Sequence, residues 1–405
     1  MTLQGQTEEA ALTGRGLALR RLALILRPMP PIFRTAAARD DGLRASYYGR
    51  LWDGWGMGAR AIADLLHRRD HATGRDALAR QARTLGFRSG NLREIHQRRR
   101  DDAPLADFLD QDERKGIHAI VNHAALPLHS NPLKNKALFE ARCRAGGLAL
   151  PAVIADARDA AAHDALIVKP GMGSKGKGVV RLVRQAGGDW RASDGSLNVA
   201  AGDLDPWIAR RRHDGWVVQQ CIVVHSDLAD LSPGALPTLR IVTVRNEHGA
   251  FEVVDTALRL SLASDRAADN FNMDNLVAPV GSDAVLGPAL RRIGGGFAEL
   301  ERHPQTGAPI AGARLDLFDA ARNLAVRAHG HFADHALIGW DIGLSADGPV
   351  LIEGNWNPGY NVLQLVSGRG IGGMRLGALY RHHLDVAPEA AWRRATPVQV
   401  AQLPF

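Results

Sequence analysis

The stretch DIGLSADGPVLIEGN, residues 341–355, places two acids and an amide among aliphatic residues, and its turn dictates where they point. Apolar runs on both sides of Ala346-Asp347-Gly348 read as two strands joined by a tight loop. A three-residue loop that ends on a left-handed residue suits Gly348. Under that loop Ser345 pairs with Pro349, and counting outward brings Asp341 opposite Glu353. Asn355 shares their face, while Ile342, Leu344, Val350 and Ile352 share the other.

Directly opposed residues have Cβ atoms roughly 4.5–5.5 Å apart, where like charges are destabilising. Two carboxylates so placed tend to share a proton unless a cation lies between them. Carboxylates and an amide oxygen are hard ligands that suit Mg²⁺ bound together with substrate phosphates. The alternative is a solvated hairpin face whose acids repel weakly in water. A two-residue loop would separate the acids.

The cations narrow the search for those phosphates. Only six of the 50 basic residues are lysines, and five of the six lie between Lys134 and Lys177. Compact ammonium groups suit phosphate oxygens, so this segment is the expected nucleotide site. The net charge of +7 carries no nucleic-acid signature, because the arginines are scattered and no aromatic-and-basic pattern accompanies them. Cys143 and Cys221 show no pairing pattern and indicate neither a disulfide scaffold nor a zinc site. No apolar run is long enough to span a bilayer. The segment RRLALIL (20–26) reads as a helix rather than a leader, which gives the expectation of a cytoplasmic protein without stable membrane insertion.

Along the 405 residues the pattern changes twice. Residues 1–115 read as helices, 116–385 as a mixed region, and 386–405 as a tail. Within the mixed region NKALFEARCRAGG is helical and ends at Gly146-Gly147. ALIVK, GVVRLV, WVVQQCIVV, TLRIVTV and FEVVDTALRL are strand-like, and Leu315–Phe332 is an amphipathic helix. The coarse result is an α+β protein with hairpin-rich, largely antiparallel strands.

The segment IVKPGMGSKGKGVVRL (167–182) contains glycines at 171, 173, 176 and 178. A dinucleotide fold requires such a loop to open a helix, but here it leads into the β-rich VVRLV. What remains is a glycine hairpin bearing Lys175 and Lys177, able to cover phosphates with backbone N–H groups and ammonium charge. Lys169 precedes it at the end of a buried strand, where an unpaired charge needs an anion. An exposed linker hairpin is the alternative.

The order of these parts resembles the ATP-grasp superfamily of ATP-dependent ligases, over roughly residues 116–385. The order is a lysine at a helix start, a strand lysine before a glycine hairpin, a hinge strand, an acid, E-x-N and Pro-Gly. TLRIVTVRNEHGAFEVVDTALRL with DNF, and IGWDIGLSADGPVLIEGN, are most similar to the sugar-transfer-associated subfamily, and resemble the glutamate ligases that modify a ribosomal protein. The resemblance implies two α+β subdomains clasping ATP, a lid subdomain over about 136–218 and a C-terminal subdomain over about 219–385. It implies that Lys136 and Lys169 hold the ATP phosphates under a lid containing Gly171, Gly173, Ser174, Lys175 and Gly176. It gives VQQCI (218–222), with Gln220 and Ile222, the adenine edge, and Asp227 the ribose. Gln220 stands where an acid is usual. Arg240 and Arg259 face the transferred phosphate or the substrate carboxylate. Asp341, Glu353 and Asn355 are the ligands of Mg²⁺, expected as two ions. Asp274-Asn275 replace a frequent Gly-Gly on the acceptor side.

The implied activity is a carboxylate–amine ligase acting through an acyl phosphate, on a small-molecule, sugar-linked or peptide-linked carboxylate. A phosphotransferase that leaves the phosphate on its product is a second reading, and a non-catalytic ATP-binding protein a third. His225, His303 and the Arg381-His382-His383 run read as polar surface.

Overall fold

The structure, a computed structural model, describes residues 130–171, 178–264, 274–294 and 296–388, with scattered positions between 98 and 125 and at 269, 271 and 391. The expected N-terminal helices lie almost wholly outside the described residues, as do RRLALIL and most of the tail. The chain divides into two compact units, one of them Ala124–Pro358. That unit carries the sheets.

Its first sheet has five strands: β1 (Ala165–Pro170), β2 (Val180–Arg184), β3 (Trp190–Ala192), β4 (Asn198–Val199) and β5 (Trp216–Gln220), in the order β4-β3-β2-β1-β5. Alternation along β1 buries Leu166 and Val168 against Leu182 and Val218. Ile208 and Leu204 of α2 (Leu204–His213), an element that follows α1 (Lys136–Ala145) in the chain, complete that core. Lys169 therefore leaves β1 on the face opposite Val168.

The second sheet holds β6 (Thr238–Arg245), β7 (Phe251–Leu260), β8 (Leu276–Pro279), β9 (Ala289–Ile293), β10 (Gly296–Leu300), β11 (Leu337–Ser345) and β12 (Gly348–Asn355). Their order is β10-β9-β8-β7-β6-β11-β12, with antiparallel pairing throughout. Ala321, Leu324, Ala325 and Ala328 of α3 (Phe318–His331) recur at helical spacing and bury one stripe against Ile338, Trp340 and Ile342 of β11. Phe139 and Cys143 bring α1 into the same core. Asn135 caps α1 by accepting from the N–H groups of Ala137 at 3.0 Å and Leu138 at 3.3 Å.

The hairpin of β11 and β12 departs from the expected loop in an informative way. Ser345 pairs with Gly348, not Pro349, so the loop has two residues, Ala346 and Asp347. A regular ladder from that start would set Asp341 opposite Ile352. A bulge between Asp341 and Ile342 absorbs one residue of β12 and restores Asp341 opposite Glu353. The same shift corrects the apolar face: Leu351, rather than Ile352, lies opposite Ile342 and enters the core, while Val350 pairs with Gly343. His303 is also corrected. It is buried, not on the surface, with Nε2 3.0 Å from the Ser261 carbonyl.

The other unit contains α4 (Asn361–Ser367) and α5 (Arg375–Val386). There the buried Gln364 amide accepts from Leu109 N at 2.9 Å and donates to Leu109 O at 3.0 Å. Among the described residues no helix is long and apolar enough to cross a membrane.

Candidate active site

Alternation and register place the acids of the second sheet together. Ile338, Trp340, Ile342 and Leu344 of β11 enter the core, so Gly339, Asp341 and Gly343 take the other face. Asp341 lies between Arg240 of β6 and Glu353 of β12. Arg259 of β7 lies opposite Thr238, and Asn355 opposite Gly339. Arg240, Arg259, Asp341, Glu353 and Asn355 thus share one surface. Gly339 keeps its edge close-packed, since a Cβ there would come within 2.4 Å of Pro358 Cβ.

Asp341 is the most heavily engaged of these groups. Arg259 Nη2 lies 2.9 Å from its Oδ2. Arg240 Nη2 donates to Oδ2 at 3.3 Å, and Arg240 Nε lies 2.8 Å from Oδ1. That last contact is close but poorly angled, so Asp341 Oδ1 accepts no hydrogen bond and Arg240 Nε donates none. We read it as charge attraction without a directed bond. Arg240 Nη1 has no hydrogen-bond partner among the described residues. Burial acts to lower the Arg259 pKa, but Asp269 and Asp341 outweigh it and hold the guanidinium above its ordinary range.

Glu353 and Asn355 are less satisfied. Glu353 has no hydrogen bond or ion pair among the described residues. Burial, then the Asp341 charge, raise its pKa, against the pull of Lys136, Lys169 and Arg240. Asn355 Nδ2 is buried without a partner, and a half-turn of the amide puts its oxygen in the same place.

The lysines belong to α1 and the first sheet. Lys136 opens α1 and donates to the carbonyl of Pro170 at 2.8 Å and of Gly171 at 3.4 Å, at the exit of β1. Burial lowers its pKa, partly offset by Glu353. Lys169 has no hydrogen-bond or ion-pair partner among the described residues, and burial brings its pKa down to about 8 despite the pull of Glu353. Lys136, Lys169, Phe139, Gln219, Leu351 and Ile352 line one small cleft. Gly171 donates its N–H to Gly215 O at 2.8 Å, and a Cβ there would fall 2.3 Å from that oxygen. Gly173, Ser174, Lys175 and Gly176 lie outside the described residues.

The hinge residues are placed with mixed results. Gln220 ends β5, donating its N–H to Ala152 O at 2.8 Å and accepting from Ala152 N at 3.3 Å through Oε1. Its side-chain oxygen is therefore used within the protein. Ile222 is half-buried in the irregular segment after β5. Asp227 is exposed on the turn Ser226–Leu228, where its carboxylate meets Ser226 Oγ at 3.1 Å and His225 Nδ1 at 3.7 Å. No hydrogen bond or ion pair joins it to the lysines or to the acids of the second sheet.

Thr238 and Asp269 were not expected as site residues. Arg259 donates to Thr238 Oγ1 from Nε at 3.0 Å and Nη2 at 2.6 Å, and Thr238 in turn donates to Asp269. Asp269 opens the DNF triplet, but no spacing rule links it to Arg259 or Asp341.

A family model for sugar-transfer associated ATP-grasp proteins matches residues 127–376. The chain belongs to this family. Its fold is the ATP-grasp fold, α+β with two antiparallel sheets. No curated protein matches the chain. Among solved structures, D-alanyl-alanine synthetase A from Vibrio cholerae is similar at 11% identity and a TM-score of 0.39, covering 64% of this chain and 67% of that one. An L-amino acid ligase from Bacillus licheniformis is similar at 15% identity and a TM-score of 0.34, covering 66% and 51%. D-alanine–D-alanine ligase from Bacillus anthracis is similar at 12% identity and a TM-score of 0.33, covering 66% and 70%. The chain thus spans about half the length of the second.

The residues present fit a metal–nucleotide. Two amines that feel the Glu353 charge, and a facing carboxylate pair with an amide beside it, are complementary to a polyphosphate carrying a divalent cation. The Glu353 carboxylate, the Asn355 amide and Asp341 Oδ1, which accepts no hydrogen bond though Arg240 Nε lies 2.8 Å away, are groups such an ion would satisfy.

Proposed function

We propose that the chain is an ATP- and Mg²⁺-dependent ligase that activates a carboxylate and joins it to an amine. The carboxylate is borne by a small molecule, a sugar-linked or a peptide-linked substrate. The observation that carries the reading is that Lys136 and Lys169, which line one small cleft with Leu351 and Ile352, feel the charge of Glu353 on the next position of β12, while neither Lys169 nor Glu353 has a hydrogen-bond or ion-pair partner among the described residues.

In this reading Lys169 and Lys136 hold phosphate oxygens as point charges. The backbone around Gln220 and Ile222 meets the adenine edge, Asp227 the ribose, and the loop from Gly171 through Gly173, Ser174, Lys175 and Gly176 covers the phosphates. Asp341, Glu353 and Asn355 hold the metal, as one or two ions. Bound Mg²⁺ supplies charge neutralisation at the transferring phosphoryl group. Arg240, whose Nη1 is uncommitted, orients the acceptor carboxylate. A carboxylate oxygen attacks the γ-phosphorus as the bond to ADP breaks. The amine nitrogen then attacks the acyl carbon, losing a proton and expelling inorganic phosphate. Positioning and charge account for most of the catalysis in such a transfer. We place the reaction in the cytoplasm, without nucleic acid and without stable membrane insertion.

The test is to incubate the full chain with ATP, Mg²⁺, pooled amino acids, sugar acids and peptide acceptors. ADP and inorganic phosphate should appear in equal amounts, with a product whose mass equals the two substrates less water. ADP without inorganic phosphate would instead identify a phosphotransferase. No acceptor-dependent ADP from any pool would remove the ligase reading.

A further inference from the structure

A carboxylate held by two guanidiniums is a poor metal ligand unless something holds part of their charge elsewhere. Asp341 is so held, by Arg240 and Arg259. Arg259 is only 6% exposed, and its donors reach both Asp341 and Thr238. Nη2 reaches Asp341 Oδ2 at 2.9 Å, while Nε and Nη2 also donate to Thr238 Oγ1. Behind Thr238 stands Asp269, 6% exposed, whose Oδ2 accepts from Thr238 N at 3.0 Å and from the Thr238 hydroxyl, and lies 3.6 Å from Arg259 Nε. Thr238, itself 5% exposed, is consistent with only one hydrogen placement: its single hydroxyl proton goes to Asp269, leaving its lone pairs to Arg259. The two guanidiniums and the carboxylates of Asp269 and Asp341 then balance in charge, and Asp341 Oδ1, with Arg240 Nε 2.8 Å away, is left without a directed bond.

We propose that Asp269 is a positioning residue for the metal site: through Thr238 and Arg259 it fixes the Asp341 carboxylate and draws off part of the Arg259 charge, keeping one Asp341 oxygen available to a divalent cation. The inference rests on the ligase reading above and assigns Arg259 to holding Asp341 rather than to touching substrate. Without the Asp269 charge, Arg259 turns its full positive charge on Asp341 and competes with the ion.

The test uses the full chain, Mn²⁺ as the probe and a non-hydrolysable ATP analogue, with free Mn²⁺ followed by electron paramagnetic resonance. Asp269→Asn keeps the size and one acceptor oxygen. It should raise the Mn²⁺ dissociation constant by about 10- to 100-fold, the scale for groups that orient metal ligands, with analogue affinity in EDTA changed less than about threefold. If Asp269→Asn does not fold, as judged by circular dichroism, Thr238→Val carries the test. It keeps the side-chain shape, removes the hydroxyl and should weaken Mn²⁺ in the same direction. Wild-type Mn²⁺ affinity in a folded variant would overturn the proposal and leave the ligase reading standing. Absence of any analogue-dependent Mn²⁺ site in the wild-type chain would overturn both.

Discussion

Lys169 ends a strand whose alternate residues form a core, and burial is the largest influence on its amine. Its pKa falls from 10.5 to about 8. Between those values the unfolded chain binds the proton and the nucleotide-free fold does not. On account of this residue, folding stability therefore rises with pH through that window and gains nothing below it. Nucleotide phosphates favour the charged amine, so binding above pH about 8 should take up a proton. Calorimetry at pH 8.5 in buffers of differing ionisation enthalpy should show uptake in the wild type and less in Lys169→Met. The same variant should lose about 1.5–3 kcal/mol of nucleotide binding, the scale of a hydrogen bond to a charged group. Unchanged affinity would dissociate Lys169 from the phosphates. Asp274 illustrates a subtler single-residue point. It adopts φ 60, a left-handed conformation that aspartate tolerates better than most residues. Its carboxylate pairs with Arg291 at 3.2 Å.

At the scale of elements, the helices were readable from apolar positions at helical spacing along α1 and α3, and the strands from runs of β-branched and apolar residues rather than from strict alternation, since β6 bulges between Val242 and Thr243. The hairpin was readable for its acids and not for its path. Alternation alone assumes a regular ladder, and two departures from it, a shorter loop and a bulge, cancel at Asp341 and Glu353 while exchanging Ile352 for Leu351 opposite Ile342. The Asp269–Thr238–Arg259 relay was unreadable for another reason. Its members meet through side chains from separate segments, and sequence spacing carries no record of such contacts. The exit of β1 offers a prediction of its own kind. Gly171 presses against the carbonyl of Gly215, so Gly171→Ala must move backbone rather than a flexible side chain. That displaces the strand end to which Lys136 donates. Gly171→Ala should raise the KM for ATP by about tenfold, since small misplacements of positioning groups are costly, with the fold retained by circular dichroism. A KM within twofold of wild type would show that this strand end does not position the nucleotide.

At the scale of the whole molecule, the proposed ligand joins two sheets that each have their own core. The first sheet, with α1, contributes amines, and the second contributes acids. Neither can bind Mg²⁺-ATP as fully alone, so the nucleotide should add most to stability when the metal links it to Glu353. A ligand at 100 times its dissociation constant stabilises by about 2.7 kcal/mol. For a unit the size of Ala124–Pro358 that corresponds to a midpoint increase of roughly 5–10 °C. Glu353→Gln keeps shape and removes one buried charge whose pKa is raised first by burial and then by Asp341. Without ligand the variant should melt at or slightly above the wild-type temperature, because a disfavoured charge has gone. With ATP and Mg²⁺ it should gain no more than either protein gains with ATP and EDTA, and its turnover should fall by orders of magnitude. Thermal scans of both proteins under the three conditions, paired with ADP release, separate the contributions. A full Mg²⁺-dependent increase in Glu353→Gln would mean that the metal is held elsewhere and that the facing acids serve the sheet alone.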